Sequence, residues 1–143
     1  MARWTGFVML LSALLVGCGG GNTHRSVENP PQNARIIPLT DSLLLTGGSD
    51  TVRFGRLHAG EIALQHLWLE NQASQPMVVV GYDRSCGCTS LEFDRKPILA
   101  GEKQRLTLYF DSRGERGWQL KTVDIRLANA QKSVRLWVEA EIE

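Results

Sequence analysis

The sequence predicts an all-β domain, an antiparallel sandwich of about seven strands. Three observations carry that expectation. From Thr51 onward, apolar residues recur at every second position in short runs, the period of a pleated strand. The runs are rich in valine, isoleucine, threonine and aromatic residues, which suit a half-buried pleated surface. Turn residues separate them about every 8–14 positions, and no stretch sustains a helical apolar period.

The chain does not begin with that domain. Residues 1–17 read as a secretory signal: Arg3 precedes an apolar run from Gly6 to Gly17, which is shorter than the ~20 residues of a membrane-spanning helix. Leu15-Val16-Gly17-Cys18 resembles a lipobox, which makes Cys18 the expected first residue after cleavage and the site of acylation. Each buried CH₂ of an acyl chain contributes roughly 0.8 kcal/mol, so several chains on one residue hold a protein firmly on a membrane. Gly19 follows Cys18 with no aspartate beside it. An outer-membrane lipoprotein of a bacterial cell envelope, facing the periplasm, is therefore expected.

The signal holds one of the 16 basic residues and none of the 15 acidic ones, so the remainder is formally neutral. With no basic stripe, nucleic acid is not an expected partner. Residues 18–33 are rich in glycine and proline and predict a flexible tether with an average reach of about 20 Å.

The sandwich is expected over residues 34–143. Ala34 to Thr46 is apolar and suggests an edge strand interrupted by Pro38, or a segment lying along the domain. Thr51 to Gly55 alternates and ends on glycine, and Ala59-Gly60-Glu61 marks a turn. In Ile62 to Asn71, Ala63, Leu67 and Leu69 share one face, with Ile62, Leu64, His66 and Trp68 on the other. Both faces are apolar enough to be covered. The valine run from Met77 to Asp83 follows Pro76, then a short alternation from Ser90 to Phe93. Leu106, Leu108 and Phe110 share a face in Gln104 to Asp111; Val123, Ile125 and Leu127 do so in Lys121 to Leu127. Val134 to Ile142 alternates most cleanly, with Trp137 on its outward phase. The pattern is of immunoglobulin-like type.

Chemistry concentrates in Ser85-Cys86-Gly87-Cys88-Thr89. With Cys18 acylated, Cys86 and Cys88 are the remaining thiols. In an oxidising envelope a local disulfide is the first reading. Residues i and i+2 of a strand lie about 6.5–7 Å apart at Cα, the upper edge for a bridge, and Gly87 lets the backbone bend. A three-residue loop gains only about 1.6 kcal/mol from closure. Metal binding stays open beside it, because two close thiolates suit Cu(I) or Zn²⁺. Further ligands would come from His58, His66, Met77 or Asp83, none at a recognisable spacing. Thiol-redox chemistry and free thiols are the remaining readings. No cofactor is expected.

His24 falls in the tether, His58 beside a turn, and His66 reads as a satisfied, partly buried histidine. Asp111 and Asp124 are not marked as a catalytic carboxylate pair, and no catalytic activity is expected. Trp68 and Trp137 either cap the sandwich or form an aromatic contact patch. Their rings could meet if their strands were adjacent.

Taken in order, Phe54-Gly55, Gly60-Glu61, Leu67-x-Leu69-x-Asn71, Cys86-Gly87-Cys88-Thr89, Ala100-Gly101-Glu102, Phe110-Asp111 and Gly117 with Lys121-Thr122 resemble DUF1573, a bacterial family of unknown function. The resemblance covers Asp50 to Glu143, with Glu70 the one departure, where a small or β-branched residue is usual. Family members are largely secreted or lipid-anchored. The family looks like the immunoglobulin-like domains of PapD chaperones, sperm proteins and cilia-associated ASH domains. That likeness implies a non-catalytic binding or scaffolding module, with another envelope protein as partner. The alternative is a soft-metal-binding or thiol-redox lipoprotein using Cys86 and Cys88.

Overall fold

The computed structural model describes residues 28–143. Eight strands form two four-stranded sheets. In chain order they are β1 (Arg35–Leu39), β2 (Gly48–Leu57), β3 (Ile62–Asn71), β4 (Val79–Arg84), β5 (Thr89–Phe93), β6 (Lys103–Asp111), β7 (Gly117–Leu127) and β8 (Val134–Ile142). A short helix, α1 (Asp41–Thr46), lies between β1 and β2. One sheet runs β1-β3-β6-β5 and the other β2-β8-β7-β4.

The fold is an all-β sandwich, but its sheets are mixed. β1 pairs in parallel with β3, and β2 in parallel with β8. The other pairings are antiparallel. Alternation reports which residues face inward and is blind to strand direction. The parallel pairs arise because β1 and β2 each join a sheet beside a strand they are not hairpinned to.

α1 departs from the expectation of strands alone. Its Leu43-Leu44-Leu45 run is as apolar as a buried strand. The ends decide otherwise: Thr40 Oγ1 accepts a hydrogen bond from the Leu43 amide at 3.2 Å. At the other end Gly47, at φ +79°, donates to the Leu43 carbonyl. These are the N-cap and glycine stop of a helix.

The core takes alternate residues from every strand: Leu67 and Leu69 of β3, Leu106, Leu108 and Phe110 of β6, Val123 and Ile125 of β7, and Leu136 and Val138 of β8. A bulge in β2 between Arg53 and Gly55 inserts Phe54 into the pattern. Val52, Phe54 and Leu57 thereby all reach the interior, and Phe54 stacks on Phe110 at 6.0 Å. Gly55 sits at φ +75°, the left-handed conformation that glycine adopts at such bulges.

The two long sides of the sandwich are closed differently. On the β1–β2 side, Arg35 reaches across to Asp50, with Nε donating to Oδ2 at 2.9 Å. On the β4–β5 side, Tyr82 and Phe93 meet edge to face at 6.2 Å.

Candidate functional site

β4 and β5 are the edge strands of opposite sheets, and Ser85–Cys88 is the turn that carries the chain between them. The Ser85 amide donates to the Thr122 carbonyl at 3.0 Å, and the Thr122 amide donates to Ser85 Oγ at 2.9 Å. Beyond the turn, the Asp111 amide donates to the Cys88 carbonyl at 2.8 Å. Arg84 spans the turn and donates to the Thr89 carbonyl at 2.5 Å. The corner is therefore tied to β7 on one side and β6 on the other.

Within it the sulfurs of Cys86 and Cys88 are 2.04 Å apart, at bonding distance. Their Cα atoms lie 5.1 Å apart, well inside the extended-strand spacing, because the segment is a turn. Gly87 has no left-handed φ, and a Cβ there would meet nothing within 4 Å. Neither strain nor crowding demands glycine at this position. Both cysteines are half-buried, Cys88 against the core, and Gly87 between them is exposed, so the corner borders solvent.

Glu115, from the β6–β7 loop, completes the site. Its Oε2 accepts a hydrogen bond from Lys121 Nζ at 3.1 Å, and its Oε1 lies 3.8 Å from Cys86 Sγ. A bridged sulfur has no proton to donate, so this last contact is not a hydrogen bond in the disulfide form. Cys86 Sγ itself accepts the Cys88 amide at 3.0 Å.

The anticipated companions of the cysteines do not converge on them. His58 lies exposed in the β2–β3 turn, and Met77 is buried in the core. Asp83 pairs with Arg126 at 3.2 Å. His66 is exposed rather than partly buried, with Nδ1 3.0 Å from Thr107 Oγ1 across the sheet. The carboxylate that does converge, Glu115, sits 27 residues beyond Cys88 in a loop, where no local spacing could point to it. Cys18 and His24 lie outside the described residues. Within the expected tether, Glu28 is described, and its carboxylate pairs with Arg105 at 2.7 Å.

The tryptophans separate. Trp68 is 3% exposed although it occupies the outward phase of β3, so it is not a surface contact residue. Its cross-strand neighbours are Ile36 and Arg105, and the Glu28–Arg105 pair places the segment before β1 over this face. Trp137 is half-buried on the outer face of the other sheet, with the Arg135 guanidinium 5.5 Å from its ring. The two rings lie on opposite sheets and cannot meet. Asp111 and Asp124 are likewise apart. Arg113 holds the Asp111 carboxyl below its ordinary range, and Arg135 does the same for Asp124.

β7 begins four residues before the expected Lys121, and there the polarity of its faces reverses although its phase does not. Gln119 and Lys121 take the inward positions, while Trp118 and Leu120 point out, 62% and 42% exposed. The unbroken phase from Val123 puts Lys121 inward, where it meets Glu115, and leaves Trp118 and Leu120 on the surface. Leu120 stands opposite Glu139 and Thr122 opposite Trp137, so Leu120 and Trp137 are diagonal neighbours. On the other sheet an open groove of about 860 Å³ lies over β5, β6 and the loop between them. Several of its charged groups are already engaged: Glu28 with Arg105, Lys96 with Asp94, Lys103 with Glu70, and Glu92 with the Tyr109 hydroxyl.

Residues 45–142 match the family described as "Protein of unknown function (DUF1573)". The chain belongs to the DUF1573 family. The matched region takes in the last two residues of α1 and all of β2 to β8. None of the curated proteins matches the sequence. Among solved structures, the fold is similar to a protein of unknown function from Porphyromonas gingivalis W83, at a TM-score of 0.55 and 19% identity over 65% of this chain and 44% of that one. It is also similar to the VesB protease of Vibrio cholerae, at a TM-score of 0.50 and 13% identity over 65% of this chain and 30% of that one. The DUF1573 chain thus spans less than half of either structure, and at these identities the likeness is one of fold.

Proposed function

We propose that this DUF1573 protein is a lipid-anchored cell-envelope module that binds or scaffolds another envelope protein and performs no catalysis. Anchoring rests on the Leu15-Val16-Gly17-Cys18 motif, with Cys18 acylated and the domain displayed on the periplasmic face of the outer membrane. The observation that carries the binding function is the first half of β7, where the apolar residues stand on the outward face. A tryptophan 62% exposed beside a leucine 42% exposed, on a sheet whose inward positions there are polar, has the composition of a protein contact. Trp137 extends the same face.

The test places a photocrosslinking residue at position 118 of the anchored protein and irradiates native membranes. A discrete adduct is expected, lost when Leu120→Ser and Trp137→Ser are combined with the probe. The same probe at position 64, on the opposite sheet, is expected to give no such adduct. Equal adducts from both positions, or none from 118, would refute the binding face. In parallel, Cys18→Ser is expected to abolish incorporation of labelled palmitate and release the protein from membranes. Retention on the membrane would refute the anchor.

A further inference from the structure

We infer that the Cys86–Cys88 corner is a redox-gated zinc site whose third protein ligand is Glu115. One ligand atom from each of Cys86, Cys88 and Glu115 falls within 4.8 Å of the others, which is the compass of a single ion. Four features of the corner support this reading together.

The donor set comes first. Two thiolates with a carboxylate oxygen suit Zn²⁺, which accepts both sulfur and oxygen. Cu(I) would select softer donors throughout. Second, the carboxylate is already oriented. Lys121 holds Oε2 at 3.1 Å and leaves Oε1 facing Cys86 Sγ at 3.8 Å, the outer-shell support that aims a ligand. That approach gains nothing from a bridged sulfur, which offers the oxygen no proton. Third, the sulfurs sit on a framework that folding fixes independently, through Ser85 on β7 and Cys88 on β6. Fourth, the half-buried cysteines flank the exposed, open face of Gly87, so an ion has a path in. Three protein ligands leave a fourth position for water or another ligand.

The bridge gates the site because a disulfide sulfur is not a thiolate. A dithiol reductant opens it by exchange: the reductant becomes a disulfide, and two electrons and two protons pass to the two cysteines. Zn²⁺ then forms two Zn–S bonds and the two thiol protons leave to solvent. In the reverse direction, exchange with a disulfide oxidant takes two electrons from the thiolates, the oxidant leaves as a dithiol, and the re-formed bridge releases Zn²⁺. None of this depends on the anchor or on the Trp118 face.

The full chain, purified in detergent, is titrated with Zn²⁺ against a chromophoric chelator, both as isolated and after reduction with a phosphine that is then removed. One Zn²⁺ per reduced chain is expected, and none per oxidised chain. Glu115→Gln is expected to weaken reduced-state binding tenfold or more, and Cys86→Ser with Cys88→Ser to abolish it. No uptake after reduction would overturn the proposal. So would full-strength uptake by Glu115→Gln, which would mean that the sulfurs act without the fold, or uptake by the double serine variant. Circular dichroism of the reduced chain supplies the remaining check: loss of the β signal would also overturn it, because only folding brings Glu115 to the cysteines.

Discussion

Asn71 is fully buried, yet each of its hydrogen-bonding groups is used. Its Nδ2 donates to the carbonyls of Gln75 and Ile98, both at 2.8 Å. Its Oδ1 accepts the Ala73 amide at 2.9 Å. Its own amide and carbonyl bind Glu102 and Gly101. The asparagine at the end of β3 therefore fixes two loops, 72–78 and 98–102, and needs both a donor and an acceptor on one side chain. Asn71→Ala strands the Gln75 carbonyl and the Ala73 amide, at roughly 1–3 kcal/mol for each unsatisfied group. A loss of about 3 kcal/mol is expected in urea unfolding, and a loss below about 1 kcal/mol would contradict this account. Asn71→Asp keeps the acceptor but sets a carboxylate against two carbonyls, and should be no milder. The neighbouring departure, Glu70, is accommodated on the surface: Lys103 and Gln72 hold it, the Lys103 contact being the larger cause of its lowered pKa.

At the level of elements, one turn is used twice. His58-Ala59-Gly60-Glu61 precedes β3 and Leu99-Ala100-Gly101-Glu102 precedes β6. In each, the first residue's amide donates to the glutamate carboxylate at 3.0 Å. The glutamate amide in turn donates to the first residue's carbonyl, at 3.0 Å and 2.9 Å. Gly60 and Gly101 stand at φ +91° and +80° with open space where a Cβ would go. Alanine at either site should therefore cost only the left-handed backbone penalty, about 1–2 kcal/mol. Gly87→Ala is the control, since its φ is not left-handed, and thermal melts should show it neutral or slightly stabilised. Equal losses at all three positions would show that the φ argument is wrong.

The same contrast separates what was legible in the sequence from what was not. β3 and β8 stand where alternation places them, because each buries one full face against the opposite sheet. The first half of β7 was unreadable because its inward positions are polar, Lys121 being paired there with Glu115 from the preceding loop. Trp68 reads as an outward residue on phase alone, yet it is buried on the face that carries Ile36 and Arg105. In α1 an apolar run fits either period, and the caps at Thr40 and Gly47 decide. Of the candidate site, the two cysteines were legible as a motif. Their carboxylate partner was a product of topology.

For the molecule as a whole, the question is how two sheets that share few direct connections stay in register along both open sides. The β4–β5 side is closed by the crossing chain itself, the Cys86–Cys88 corner and the Tyr82–Phe93 contact. The β1–β2 side has only α1 as covalent link, and there the Arg35–Asp50 pair bridges the sheets with side chains roughly a third exposed. The Arg35 hydrogen bond is the main cause that lowers the Asp50 carboxyl below its ordinary value of 3.8, against an opposing effect of burial, with the Thr51 amide and the Arg35 and Arg53 charges adding to it. A carboxyl depressed in the folded state contributes stability that is complete above its unfolded pKa and is lost as pH falls through the folded one. The raised pKa of Arg35 has no bearing near neutrality, since arginine stays charged there. The clamp should therefore be at full strength from neutral pH down to about 5 and fade below about 4. Its exposure limits the contribution to about 0.2–1 kcal/mol. Asp50→Asn keeps an acceptor for the Thr51 amide and removes the charge, so its unfolding midpoint should lie below that of the parent at pH 7, and the gap should narrow as pH falls below about 4. A gap that persists undiminished at pH 3 would mean that shape, rather than charge, holds this side of the sandwich closed.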